Sequence, residues 1–306
     1  MTRAGDRLAR PAGDGEAEAV TSAPGQEQGY FPAGSATRRV IGDPAALIGG
    51  FSALFLQTLH PRAMAGVEQH SSFPEDFWPR LERTAGYVTT LAFADRPTAD
   101  RAVARVRAIH RRVRGTDPVT GMAYSADDPD LLRWVHVCEV SSFSAAVRRL
   151  GLIDAAEEDR FLAEQVRAGA LLGATDLPAS RAEVDAYFAA VRPQLVASPI
   201  ARRAAHRLAV APLPARLLPV PAGLRATPAL GVVVTAGDAA ARLAVARPVW
   251  SAVAAVAIGL LPAWARELYG LPRIPGGDAV TTAGLWTVRT AMLAFSRATG
   301  RPAPPR

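Results

Sequence analysis

The stretch Thr98-Ala-Asp-Arg-Ala-Val-Ala-Arg-Val-Arg-Ala-Ile-His-Arg-Arg-Val-Arg114 decides the fold class. Its apolar residues are Val103, Val106, Ile109 and Val113, spaced three, three and four apart. That is the period of one helix face, and a strand would need alternation by two. His110 falls four after Val106 and three before Val113, so the spacing puts it on the same stripe, facing a core. The arginines mostly take the other faces. The pattern predicts a helix from Thr98 to Arg114, stopped by Gly115.

The same reading extends both ways along the chain. Asp43-Pro44 is an N-cap followed by proline at the first helical position, and it opens the apolar run Ala45–Leu59. Pro61 restarts the chain. Further helices are expected over 75–94, from Pro129 to Gly151, through 199–269 between prolines, and over 278–299. Asp154 with Glu157, and Ser180 with Glu183, have capping-box spacing. Leu230–Thr235 is the one stretch that reads as a strand, and 116–128 reads as a loop. Ala, Leu and Arg dominate elsewhere and favour helix. The fold expected is all-α: one large helical domain over 41–300, with 301–306 frayed. Residues 1–40 read as a disordered tail, rich in Gly, Ala, Pro and acidic residues. They contain no apolar run of the kind a signal peptide needs.

Composition closes off several chemistries. The chain has 306 residues, a single cysteine (Cys138), no lysine and no asparagine. One cysteine forms no intramolecular disulfide, Cys₄ zinc site or Cys-ligated cluster. Without lysine there is no Schiff base and no phosphate-cradling lysine. Arginine in place of every lysine is the bias of a GC-rich bacterial genome. It also inflates the basic balance, a net charge of +7. The tail carries five arginines against five carboxylates, so the whole excess lies on the remaining chain. With no nucleic-acid motif among them, the arginines do not argue for a nucleic-acid partner.

Four of the five histidines, His60, His70, His110 and His136, lie within 60–136. His110 has two readings: a core histidine bonded to a backbone carbonyl, or an axial ligand to a buried haem. Arg80, Arg83, Thr84 and Tyr87 share a face of the preceding helix, either as a solvated strip or as donors for bound oxygen or a carboxylate. His136 and Glu139 stand one turn apart. A di-iron site needs two such pairs and further carboxylates, so a supporting polar pair is the better reading. Gly-x-Ser-x-Gly, Gly-x-Gly-x-x-Gly and His-Glu-x-x-His are absent.

These residues occur in blocks with a recognisable order. They run Leu54-Phe55-Leu56-Gln57-Thr58-Leu59-His60-Pro61, Gly66-Val67 with His70-Ser71, Arg80-Leu81-x-Arg83-Thr84, and Ile109-His110-x-x-Val113-x-Gly115. Tyr124-x-Ala126-x-Asp128-Pro129, Trp134-Val135-His136 and Leu261-Pro262-x-Trp264-x-Arg266-x-Leu268-Tyr269-Gly270 follow. The series resembles the MpaB-type oxygenase family, which includes the latex-clearing rubber oxygenases, over about residues 40–300. The resemblance implies a globin-like core with one haem b. It also implies cleavage of a C=C bond by dioxygen in an apolar, isoprenoid or lipid-like substrate. By it His110 matches the haem-iron ligand, and Arg80 and Thr84 match the polar pair of an Arg-x-x-Lys/Arg-Thr motif. Arg83 stands where the rubber oxygenases carry a distal lysine, and an arginine does not readily shed its charge. The candidate set is therefore Arg80, Arg83 and Thr84 for catalysis, and His110, Arg80, Tyr87 and His136 for the haem.

Two other readings stay open: a haem protein without turnover, serving as gas sensor or redox carrier, and a cofactor-free helical protein that grips lipid or a membrane surface. Pro248–Ala265 runs 18 residues without a charge, at the lower limit for a membrane span. Bracketing prolines and diluting alanines favour a buried core helix. A cytoplasmic protein is expected, with peripheral membrane contact left open.

Overall fold

The computed structural model describes residues 29–70, 77–211 and 239–299, the side chains of 239–248 and 299 excepted. Among them are twelve α-helices and one two-stranded hairpin, so the all-α expectation holds. The strand expected at Leu230–Thr235, residues 1–28 of the tail and the C-terminus expected to fray lie outside the described residues.

The chain enters through α1 (Ala36–Ile41), capped by Ser35, whose hydroxyl accepts from the Arg38 amide at 3.2 Å. The Glu164 carboxylate receives the Ala36 and Thr37 amides at 3.1 and 2.7 Å, and Val40 and Phe31 are buried. The boundary expected at residue 40 thus falls inside a packed helix. Its alanine- and arginine-rich sequence has little amphipathic signal of its own, and a carboxylate 128 positions on in the chain satisfies its first turn.

The core is built on α2 (Pro44–Gln57) and α6 (Pro129–Arg149), which pack along each other more extensively than any other pair. Both start as the sequence indicates, with Asp43 and Asp128 as N-caps and proline in the first turn. Glycine allows their close approach: a Cβ on Gly49 would stand 2.3 Å from the Ser142 carbonyl oxygen. Trp134, fully buried, donates its indole N–H to the Gln57 carbonyl and meets Phe188 edge-on. α7 (Ala155–Leu172) covers one side of α6, opening on the full reciprocal capping box of Asp154 and Glu157. It ends on Gly173 at φ 104°, a left-handed conformation that suits glycine. In α8 (Arg181–Val191) Ser180 caps as expected, but the Glu183 carboxylate takes the Ala179 amide at 2.7 Å.

α9 (Pro199–Val210), α10 (Ala239–Gly259), α11 (Ala263–Tyr269) and α12 (Gly277–Thr299) close the other side of α2. No single described helix is long and apolar enough to cross a membrane. Val249–Gly259 and α11 together have the composition, but they meet at 118°. Trp250, Ala257, Leu261 and Ala265 in this stretch are buried, as the core-helix reading expected. Arg289 of α12 grips the capping Asp43 with three contacts of 2.7–3.0 Å, and both side chains are about 15% exposed. Asp43→Asn keeps the cap and leaves Arg289 without its counter-charge. It is expected to cost about 2 kcal/mol in chemical denaturation. An unchanged midpoint would mean that the pair contributes nothing net.

α3 (Pro61–His70), α4 (Phe77–Phe93) and α5 (Arg96–His110) form the remaining layer. α5 begins at Asp95, whose carboxylate caps the Thr98 amide at 2.8 Å. It stops at His110, four residues short of the expected end. The Val113 amide reaches back to the His110 carbonyl, and Arg114–Thr116 (β1) then pairs antiparallel with Ala123–Ser125 (β2). The expected loop is therefore a hairpin, and ladder bonds replace the helical ones. The apolar stripe is buried at Val103 and surfaces at its end, where Ile109 is 52% exposed.

Candidate functional site

α4 supplies the polar strip. Packed on α5 and α1, it turns its face gradually inward along its length. Arg80 and Arg83 are exposed, Thr84 and Tyr87 are half-buried, and Leu91 is in the core. The Thr84 hydroxyl donates to the Arg80 carbonyl at 3.1 Å, so it bonds back along its own helix. Tyr87 packs beside a small cluster of Phe31, Leu91, Ala99, Val103 and Ala168. Its hydroxyl is buried without a hydrogen-bond partner. Burial raises its pKa, and the nearby Glu139 carboxylate adds to the effect.

His110 closes α5, half-buried, with a buried Nδ1 that has no hydrogen-bond partner among the described residues. The core reading, an imidazole bonded to a backbone carbonyl, is thus not met through Nδ1. Burial lowers its pKa, the Arg80 charge lowers it further, and Asp127 opposes them. The ring is neutral at pH 7, the form in which a histidine nitrogen binds a metal. The structure brings Arg80 and His110 into one electrostatic neighbourhood; Arg83 stays at the exposed edge.

α6 supplies the opposite wall. The His136 imidazole bonds the Gln165 backbone, packs against Gly169, and is driven by burial to a pKa of about 4. Glu139, one turn on, is raised by burial to about 7, and a hydrogen bond from Gln57 of α2 holds it partly down. The Glu139 charge is felt at Tyr87, and His136 packs on the α7 side of α6. The sequence offered Glu139 as a supporting polar partner of His136 in preference to a metal ligand. Its usable signal, shared with Gln57, is a polar residue among apolar neighbours on a core helix. His60, 4% exposed with an unpartnered Nδ1, is pushed by burial to about 4 and sits 5.8 Å from Trp134, centre to centre. His70 bonds the Arg114 carbonyl at 3.2 Å, and His206 is exposed.

Among the described residues no three His, Cys, Asp or Glu side chains gather into a metal-binding group. A cleft of about 350 Å³ beside Arg148, Arg149, Glu158 and Arg181 lies at the far end of α6. Its arginines already pair with Glu158, Asp278 and Asp185, so it offers no free cation.

A carboxyl titrating near neutrality has a thermodynamic signature. The folded state raises the Glu139 pKa from 4.5 to about 7, so its ionisation opposes folding. The penalty is absent below the unfolded pKa, grows as pH rises, and is complete above the folded one. Glu139→Gln is thus expected to be about 2 kcal/mol more stable than wild type at pH 8. The difference should fade toward pH 4. Parallel stability curves for the two proteins would contradict the buried, raised carboxyl.

The helical domain thus buries an imidazole nitrogen and a tyrosine hydroxyl, neither with a hydrogen-bond partner among the described residues. The chain matches the family model described as ER-bound oxygenase mpaB/B'/Rubber oxygenase, catalytic domain, over residues 38–293. It belongs to that family and is an oxygenase-type protein. No curated protein and no solved structure matches it.

Proposed function

We propose that the chain is a haem b-dependent oxygenase that cleaves a C=C bond in an apolar, isoprenoid or lipid-like substrate with dioxygen. The observation that carries this reading is the His110 imidazole, neutral, half-buried, and unpartnered at Nδ1, in a chain of the oxygenase family. These residues fit a haem. A neutral imidazole at the end of a helix is a suitable iron ligand. The arginines at the exposed edge of α4 suit a carboxylate at the solvent side.

When bound, the haem supplies the redox chemistry of dioxygen; the chain supplies position and electrostatics. An alkene and dioxygen balance as two carbonyl products, so the overall reaction needs no further reductant. His110 holds the cofactor. Tyr87 presents an O–H donor that no protein group occupies. Arg80, whose charge is felt at His110, keeps fixed positive charge beside the site, able to stabilise negative charge that develops on oxygen. Arg83, at the exposed edge, stands where the resemblance to the rubber oxygenases implies a lysine, and an arginine there offers charge without proton transfer. His136, neutral and bonded to the α7 backbone, stiffens the wall. A globin-like arrangement of helices around the haem is part of the same reading.

The test is to purify the protein after growth with haem supply and record its absorption oxidised, reduced, and reduced with carbon monoxide. Oxygen uptake and carbonyl products with an isoprenoid alkene are then measured. A Soret band with oxygen-dependent cleavage is the expected result. A Soret band without turnover would leave a haem carrier or sensor. A folded, colourless protein would leave the lipid-binding reading.

A further inference from the structure

The hairpin that follows His110 carries surface features that the oxygenase reading does not use. Its tip, Pro118-Val-Thr-Gly-Met-Ala-Tyr124, has no charge. Val119 is 44% and Met122 54% exposed, and both protrude beyond the β1–β2 ladder. The tip is nonetheless held in shape. The buried Asp117 carboxylate receives the Val119 and Thr120 amides at 3.0 and 3.1 Å and the Thr120 hydroxyl at 2.5 Å. Gly121 supplies the positive φ of 72° that closes the turn. Tyr124, on the other face, anchors the stem to α3 by donating to Gln69 at 2.8 Å.

The stem is basic. Arg111, Arg112 and Arg114 are exposed, and of these only Arg114 has an ion pair with a described residue, to Asp127 at 3.7 Å. Ile109 and Arg105 continue the exposed surface onto α5. A fixed apolar tip beside three exposed arginines that outnumber their one carboxylate neighbour, Asp127, matches the interface of an anionic bilayer, where apolar side chains enter the acyl boundary and guanidinium groups meet the headgroups. Among the other exposed apolar residues the two most exposed, Ile274 at 72% and Val280 at 73%, lie near Arg273, which is paired with Glu267. A nucleic acid would use the arginines but not the apolar tip.

We propose that the 118–122 tip and the Arg111–Arg114 stem dock the protein on an anionic lipid surface, without a membrane-crossing helix. This does not depend on the cofactor. It would hold the end of α5, and with it His110, against a surface where apolar substrates accumulate.

The test is co-sedimentation of the full chain with vesicles of phosphatidylcholine, pure or with one third phosphatidylglycerol. Wild type is expected to bind the anionic vesicles and be released by high salt. Val119→Ser with Met122→Ser should weaken binding about tenfold. Arg111→Gln with Arg112→Gln should weaken it by a similar factor and flatten the salt dependence. Ile274→Ser with Val280→Ser should bind as wild type. All these side chains are exposed, so unchanged circular dichroism and Tm are expected. Equal binding to neutral vesicles, no binding by wild type, loss in the Ile274/Val280 variant alone, or a serine tip that binds normally would each overturn the proposal.

Discussion

His110→Ala, purified after growth with haem supply, is expected to lose the Soret band while keeping its helical circular dichroism. Loss of a supporting partner alone weakens metal sites by 10–100-fold, so loss of the ligand itself should weaken haem binding by about a hundredfold or more. The fold should tolerate the change. His110 is the last residue of α5, half-buried, and outside the main cores. Its Nδ1 has no protein partner, so truncation orphans none there. The pH dependence follows in sign. Burial and then the Arg80 charge depress the imidazole below its usual 6.5, so the ring stays neutral to lower pH than a free histidine. Haem retention is expected to be level from pH 8 down through 6.5 and to fall only in more acidic solution. A variant that kept full haem occupancy would remove His110 from the role.

Gly49→Ala is expected to destabilise the whole domain by about 3 kcal/mol, a large share of the 5–15 kcal/mol typical of a domain. The added Cβ would lie 2.3 Å from the Ser142 oxygen, 2.8 Å from its carbon and 3.0 Å from the Phe143 Cα. All three are backbone atoms of α6, so no rotamer change relieves the clash. α2 and α6 must separate along the interface that forms the centre of the fold. At 2–4 °C per kcal/mol for a domain of this size, Tm should fall by about 10 °C. Because Gln57 reaches Glu139 across the same interface, the Glu139 titration should shift with it. The same substitution at Gly86 of α4 is the control. Its Cβ would meet nothing within 4 Å, and alanine there should raise stability by about 0.5–1 kcal/mol. Equal effects at the two positions would show that the α2–α6 contact is not rigid.

Several helix starts set by a local cap were legible, although α5 starts at Arg96 behind its Asp95 cap and not at Thr98. Asp43-Pro44, Asp128-Pro129 and the Asp154–Glu157 box each act within four residues, so their chemistry is visible in sequence. The end of α5 was not. Gly115 reads as a helix stop, yet it pairs with Tyr124 in a ladder, and the apolar Val113 keeps the helical period past the true end. α1 was hidden for a related reason, since its first-turn amides are satisfied by Glu164 of α7.

The sequence by itself determined the all-helical class, the family, and the residues that carry it, because periodicity and short motifs are local properties. It also indicated that His110 belongs with an apolar stripe, and it displayed Arg80, Arg83, Thr84 and Tyr87 at one helix spacing. Only the tertiary structure decided the surroundings of each. Burial and the Arg80 charge, from different helices, lower the His110 pKa below its ordinary 6.5. Tyr87 and Glu139 lie 52 positions apart, and the fold brings the carboxylate near enough to raise the Tyr87 pKa. Burial strips water from the carboxyl and lifts it to about 7. Desolvation depends on what the rest of the chain places around a group, and no local pattern encodes it.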